Sequence, residues 1–192
     1  MKIAVYTIAL NEEQFVERWY ESAKEADYLM IADTGSTDGM VEKAKALGIV
    51  CHTISVKPWR FDDARNAALA LLPDDIDYCI SLDMDELLAP GWRDEMEKVK
   101  PGVTRIRYDY TWNFNEDGTP GLTFGGDKIH ARHGYRWKHP VHECLYTDRI
   151  QEKEQWIKLG LWHKADNTKS RGQYLPLLKL SVEEDPLNDR NA

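Results

Sequence analysis

Three carboxylates crowd the end of one apolar run, Ile76-Asp77-Tyr78-Cys79-Ile80-Ser81-Leu82-Asp83-Met84-Asp85-Glu86. Carboxylates at the end of a buried strand are costly unless a cation neutralises them. In an extended chain, residues two apart share a face at roughly 7 Å. Asp83 and Asp85 so placed can hold one hard divalent ion between them. Mg2+ or Mn2+ in such a site keeps waters and completes its shell from a substrate's phosphates. The spacing therefore points to chemistry on a diphosphate. The bland alternative is that acidic residues only close a strand and open a loop.

The elements that would hold these residues can be read from periodicity. Residues 2–9 form a β-rich apolar run, and Asn11 with Gln14 three residues on predicts a capped helix. Residues 28–32 read as a second strand, followed by the polar loop Asp33-Thr34-Gly35-Ser36-Thr37-Asp38-Gly39 and a helix through Leu47, with Gly48 as its stop. A third strand is expected over 49–56, a helix over 62–72 ended by Pro73, and a fourth strand over 76–82. Strands alternating with helices predict an α/β fold with a mainly parallel central sheet flanked by helices. After Glu86 the pattern changes. A short helix fits 90–99, and residues 103–162 are rich in Tyr, Trp, His and Gly. Turn signals at Asn115-Glu116-Asp117-Gly118 and at Gly125-Gly126 suggest hairpins and an antiparallel addition to the sheet. A last helix fits 171–184.

In a parallel α/β sheet, ligands bind beyond the carboxyl ends of the strands. Four polar loops should therefore meet on one edge: Thr7 to Glu12, Asp33 to Asp38, Pro58 to Arg65, and Asp83 to Glu86. Asp33 can accept the imide N–H of a uracil, and Arg65 can face a base or phosphates. Each also has a structural excuse as a turn, cap or solvated residue. His130, His133, His139 and His142 crowd one segment beside Cys144, but without a cysteine pair or a catalytic helix the zinc reading is weak. A cleft lined by His, Tyr and Trp, suited to sugar stacking, is the better expectation.

Bulk properties narrow the class. The chain has 192 residues and a net charge of -8, which argues against a partner held by general basic attraction, nucleic acid above all. No long apolar run is present to span a membrane. The first apolar stretch runs straight into Asn11-Glu12-Glu13 and reads as a strand rather than a signal peptide, so a soluble, cytoplasmic protein is expected. Cys51, Cys79 and Cys144 are odd in number and far apart, which fits free thiols in a reducing compartment. A single domain over 1–192 is expected, divided at about residues 100 and 165, with a C-terminal helix and tail (166–192). The polar tail hints at a piece of a longer protein.

Ile3–Glu13, Ala32–Gly39, Phe61–Asn66 and Leu82–Glu86 together resemble the successive motifs of family-two glycosyltransferases of the A-type fold: strand then N-E-E, A-D-x-G-S-T-D-G-T, F-x-x-A-R-N and L-D-x-D-E. Met40 stands where that pattern has its last Thr. Val141-His142-Glu143 resembles the family's V-H-E, and Leu161-Trp162-His163 the start of a late histidine motif whose Gly-Tyr is replaced here. Similar short domains occur in multidomain glycan-building proteins of large algal viruses. The resemblance implies a Rossmann-like nucleotide-sugar-binding half (1–100), an acceptor and catalytic half (101–165) with the antiparallel addition on the acceptor side, and an inverting transfer from a nucleotide sugar, a UDP-sugar by family habit, to a glycan or glycoprotein acceptor. It implies that Thr7, Asn11, Glu12, Asp33, Arg65 and Asp83 bind the donor. Asp85, Asp83 and His163 would hold Mn2+ or Mg2+. Glu143 is the implied base, against a structural ion pair with Arg132 or Arg136, and Asp127 is the second candidate. Two rival readings remain open. A sugar-phosphate nucleotidyltransferase would need a basic Gly-rich loop where Leu10-Asn11-Glu12-Glu13 stands. A carbohydrate-binding module using Trp112, Trp137 and Trp156 would leave the acidic loop unexplained.

Overall fold

The computed structural model describes residues 1–166 and 174–187. Strands β1 (Ile3–Ala9), β2 (Tyr28–Asp33), β3 (Val50–Thr53) and β4 (Tyr78–Ser81) are parallel, in the order β3-β2-β1-β4. Helices α1 (Val16–Ala23), α2 (Met40–Ala46) and α3 (Phe61–Ala70) connect them. Alternation along the strands divides the core. Ile3, Val5, Ile31 and Ile80 pack with Val16, Trp19, Met40 and Ala44. Ala4, Tyr6, Met30, Ala32 and Cys79 pack with Ala68, Leu69 and Leu72 on the other face. A strand buried on both faces between helices reads as a continuous apolar run, as β1 and β4 do.

The second half extends the same sheet. After β5 (Glu86–Leu88) and α4 (Trp92–Met96) come β6 (Arg105–Thr111), β7 (Thr123–Ala131), β8 (Arg136–Lys138), β9 (Cys144–Tyr146) and β10 (Glu154–His163). β7 pairs antiparallel with β4, and the order continues β7-β6-β10-β5; β8 and β9 form a separate two-stranded ribbon. The last helix is α5 (Tyr174–Glu184), and residues 171–173 of its expected span lie outside the described residues. The mainly parallel sheet with flanking helices and an antiparallel addition is thus observed. Among the described residues the three cysteines are free, and no helix is long and apolar enough to cross a membrane.

Four local expectations are corrected. Asn11 does not cap its own helix: a 3-10 turn (Glu13–Phe15) intervenes, and Asn11, at φ 55°, accepts the Thr37 N–H at 2.7 Å. β3 is half the expected length, because its pairing with β2 ends at Asp33–Thr53. Gly125-Gly126 is no turn but part of β7, where a Cβ on Gly126 would lie 2.3 Å from the Tyr108 ring. Glu86 leaves the acidic loop as a strand residue, paired in register with His163.

Candidate active site

The carboxyl ends of β1 and β4 open into a cavity of about 670 Å3. Its lining includes Ile8 from β1, Glu12 from the loop after it, Phe61 and Arg65 from α3, and Asp83, Asp85 and Glu86 beyond β4. The second half contributes Tyr110, Trp112, Phe124, Asp127, Lys128, His142, Glu143 and His163.

At its floor runs a chain of charges. Arg65, a buried residue of α3, reaches Asp83 at 2.8 Å with Nη2 and Glu143 at 2.6 Å with Nε, and donates to Ser81 Oγ at 3.0 Å. Lys128 on β7 joins Asp83 at 2.9 Å to Glu86 at 2.8 Å. Glu86 also accepts the Tyr110 hydroxyl at 2.7 Å and the Asp83 N–H at 2.9 Å. Burial alone would raise the Asp83 carboxyl, but Arg65 and Lys128 outweigh it and hold Asp83 well below the usual range. Glu86 goes the other way: burial first, then the Asp83 charge, push it up, and Lys128 only partly offsets them.

Asp83 and Asp85 do not share an extended face. The Glu86 N–H donates to the Asp83 carbonyl at 2.9 Å, so the motif is a turn and the two carboxylates diverge. Asp83 faces Arg65 and Lys128. Asp85 faces His163, whose Nε2 stands 3.5 Å from its carboxylate. The hydrogen bond to Asp85 raises the His163 imidazole against the opposing effect of burial. Strand pairing explains the meeting: β10 lies against β5 with His163 opposite Glu86, and the Lys164 N–H donates to the Asp85 carbonyl at 2.7 Å. Among the described residues, no three His, Cys, Asp or Glu side chains are grouped as a metal cage.

The expected donor residues are only partly brought together. Glu12, Arg65 and Asp83 line the cavity. Thr7 is entirely buried in β1, its hydroxyl turned to the Ile8 carbonyl, so it has no surface to offer a nucleoside. Asn11 clasps the neighbouring loop instead, and Glu13 helps by accepting the Gly39 N–H at 3.0 Å. Asp33 ends β2 nearly buried and accepts the Ser36 N–H at 2.9 Å, which shapes the loop around it.

Both base candidates line the cavity. Glu143 is ion-paired, but with Arg65, 78 positions away in sequence; Arg132 binds the carbonyls of Leu72 and Pro73, and Arg136 binds Asp148. Asp127 lies 3.4 Å from Arg107 and 3.8 Å from Arg105. Asn66 holds the ribbon that carries Glu143, exchanging two hydrogen bonds with the Trp137 backbone at 2.8 and 2.9 Å. Trp137 is buried and donates to Tyr6, so it is no stacking platform; Trp112 and Trp156 are exposed. Sequence reasoning missed Lys128, Tyr110 and Asn66. Period-two spacing from Phe124 would have put Lys128 on the cavity face, whereas Asn66 closes the F-x-x-A-R-N motif without any local sign that it holds the Trp137 backbone.

The family described as Glycosyl transferase family 2 matches residues 4–119. A search of curated proteins found no match. Among solved structures, the chain is similar to glucosyl-3-phosphoglycerate synthase from Mycobacterium tuberculosis. The similar structures include its complexes with Mn2+, UDP and phosphoglyceric acid, with Mn2+ and UDP-glucose, and with Mg2+ and UDP. Identity is 24% and the TM-score 0.47 in each, over 57% of this chain and 43% of the synthase chain. The chain thus spans less than half the length of that synthase.

Proposed function

The chain belongs to glycosyl transferase family 2, and from that premise we infer that it moves a sugar from a UDP-sugar to a hydroxyl of a glycan or glycoprotein, with inversion. One observation carries this reading. Among the described residues, seven carboxylates line the cavity with one arginine and one lysine, both already engaged by carboxylates. A diphosphate can enter such a cavity only with additional positive charge. Asp85 and His163 stand together at its lining as the place for it.

Their donor set fits a divalent ion: a carboxylate oxygen suits Mg2+ or Mn2+, and an imidazole favours Mn2+ of the two. When bound, the ion would offset the charge of the departing diphosphate. The chain's own residues supply the remaining roles. Asp33 accepts the uracil imide N–H. Asp83, fixed by Arg65 and Lys128, keeps lone pairs for a ribose hydroxyl. Glu12 closes the donor side. Glu143 takes the proton of the acceptor hydroxyl, with Asp127 as the second candidate. The acceptor oxygen forms its bond to the anomeric carbon opposite the leaving group. The bond from that carbon to the phosphate oxygen breaks, and its electron pair leaves on UDP.

Asp85→Ala tests the reading. UDP-sugars are screened by thermal shift with and without Mn2+, then assayed for turnover. The variant should fold, lose the Mn2+-dependent part of the UDP shift and lose about 100-fold or more in turnover. Full Mn2+-stimulated activity in the variant would remove Asp85 from the site.

A further inference from the structure

One wall of the cavity is built from rings on a single hairpin. Register places Tyr108 opposite Gly126 and Tyr110 opposite Phe124, and strand alternation puts Tyr108, Tyr110 and Trp112 in one row. The row runs from dry to wet. Tyr108 is fully buried and Tyr110 nearly so, whereas Trp112 and Phe124 are 45% and 47% exposed. All four line the cavity. The rings are braced rather than loose: Tyr110 stacks on Phe124 at 5.1 Å and Trp112 on His163 at 4.5 Å. Leu122, 61% exposed, accepts the Trp112 N–H through its carbonyl and extends the apolar rim. Fixed aromatic faces left in water at the mouth of a reactive cavity are a standing cost that a ligand would relieve.

The surrounding charge says which ligand. Among the described residues, the two cations lining the cavity, Arg65 and Lys128, are bridged to Asp83, Glu86 and Glu143. Arg105 and Arg107, behind Asp127, are held by Asp127, Glu152 and Glu154. An anionic acceptor would enter beside a diphosphate and against the carboxylates of Asp85, Asp127 and Glu143. A neutral sugar ring would not, and it has what this wall can use: an apolar C–H face for stacking and hydroxyls for carboxylates. We propose that Trp112 and Phe124 form the acceptor subsite, and that its ligand is a neutral saccharide ring stacked on them. The proposal rests on the transferase reading above and adds to it the chemical class of the acceptor and the residues that select it.

The test uses the full chain, Mn2+ and the UDP-sugar that stabilises it most. Methyl glycosides, maltose and cellobiose serve as neutral acceptors, and 3-phosphoglycerate and glucuronic acid as anionic ones. Transfer should go to a neutral saccharide. Phe124→Ala and Trp112→Leu should raise the acceptor KM about tenfold more than the donor KM, and Trp112→Phe should recover most of that loss. Saturation-transfer NMR of the methyl glycosides with UDP present should show the ring C–H face nearest the protein, and Phe124→Ala should lose that signal. Preference for an anionic acceptor, or an acceptor KM unmoved by both variants, would overturn the assignment. So would a dimer in sedimentation that Phe124→Ala dissolves, since a second copy would then cover the wall. Failure to bind UDP or turn over any UDP-sugar would instead sink the transferase reading, and the subsite with it.

Discussion

Lys128→Met should expose how the floor of the cavity is held together. Lys128 is the one cation touching Glu86, at 2.8 Å, and Glu86 is 1% exposed among the described residues. Asp83 keeps Arg65 at 2.8 Å when Lys128 is lost, but Glu86 keeps only the Tyr110 hydroxyl and the Asp83 N–H, and it stays beside a negative neighbour. Breaking a buried ion pair by removing one partner costs about 3–5 kcal/mol; with Asp83 still paired, the lower end of that range is expected. Protonating Glu86 is the remaining relief. Its carboxyl is already raised by burial and by Asp83, and the variant removes the Lys128 attraction that opposed them. A carboxyl whose folded pKa lies above its unfolded one contributes stability that is full below the unfolded value and lost as pH rises through the folded one. The deficit of Lys128→Met relative to wild type should therefore widen from pH 5 to pH 8. Urea denaturation at several pH values, for wild type, Lys128→Met, Glu86→Gln and the double variant, measures both effects. The double variant should recover most of the loss, because no unpaired buried charge remains. A loss below about 1 kcal/mol, a deficit independent of pH, or a double variant no more stable than Lys128→Met would refute this account of the cluster.

Glu143→Gln should retain UDP binding by calorimetry and lose about 100-fold or more in turnover; undiminished turnover would pass the role of base to Asp127. His130, buried between the Tyr6 and Tyr135 rings, is held down to about 4 by burial first and then by Arg105 and Arg132. The unfolded chain takes up that proton near 6.5 and the folded chain does not, so stability should fall by about 3 kcal/mol between pH 6.5 and 4. Urea melts of His130→Gln should show a shallower acid limb than wild type; parallel limbs would count against the buried imidazole. Gly126→Ala should destabilise by about 1–3 kcal/mol, since its Cβ meets the Tyr108 ring, and Tyr108→Leu should recover part of that in a double variant followed by thermal melting.

The first half was legible because its signals are local. The alternation of Ile3 and Val5 against Ala4 and Tyr6 assigns both faces of β1, and Gly48, at φ 80°, ends α2 where a helix stop was expected. The second half resisted because its determinants are distant. Gly125-Gly126 has the composition of a turn, and only the Tyr108 ring across the ladder explains it as strand. Asn11 has the position of a cap, yet its partners lie on another loop. In the site, Arg65 and the acidic motif were visible as residue types in order. That Arg65 grips Glu143 and that Lys128 enters from β7 depend on pairings across more than forty positions, which no local pattern encodes.

The D-x-D spacing suggested two carboxylates on one face, and the turn separates them. Asp83 is already neutralised from two sides, so a metal there would have to compete with Arg65 and Lys128 at 2.8 and 2.9 Å. Asp85, among the described residues, has His163 as its ion-pair partner, at 3.5 Å. A cation entering the cavity with a diphosphate therefore meets less resistance at Asp85 than at Asp83. The division has a further consequence for the acceptor side. Arg65 spans Asp83 and Glu143, so the residue that fixes the donor-side carboxylate also fixes the candidate base. One guanidinium thus links the two carboxylates. Arg65→Lys keeps the charge but loses the fork that reaches both carboxylates. It should thus impair turnover far more than UDP affinity.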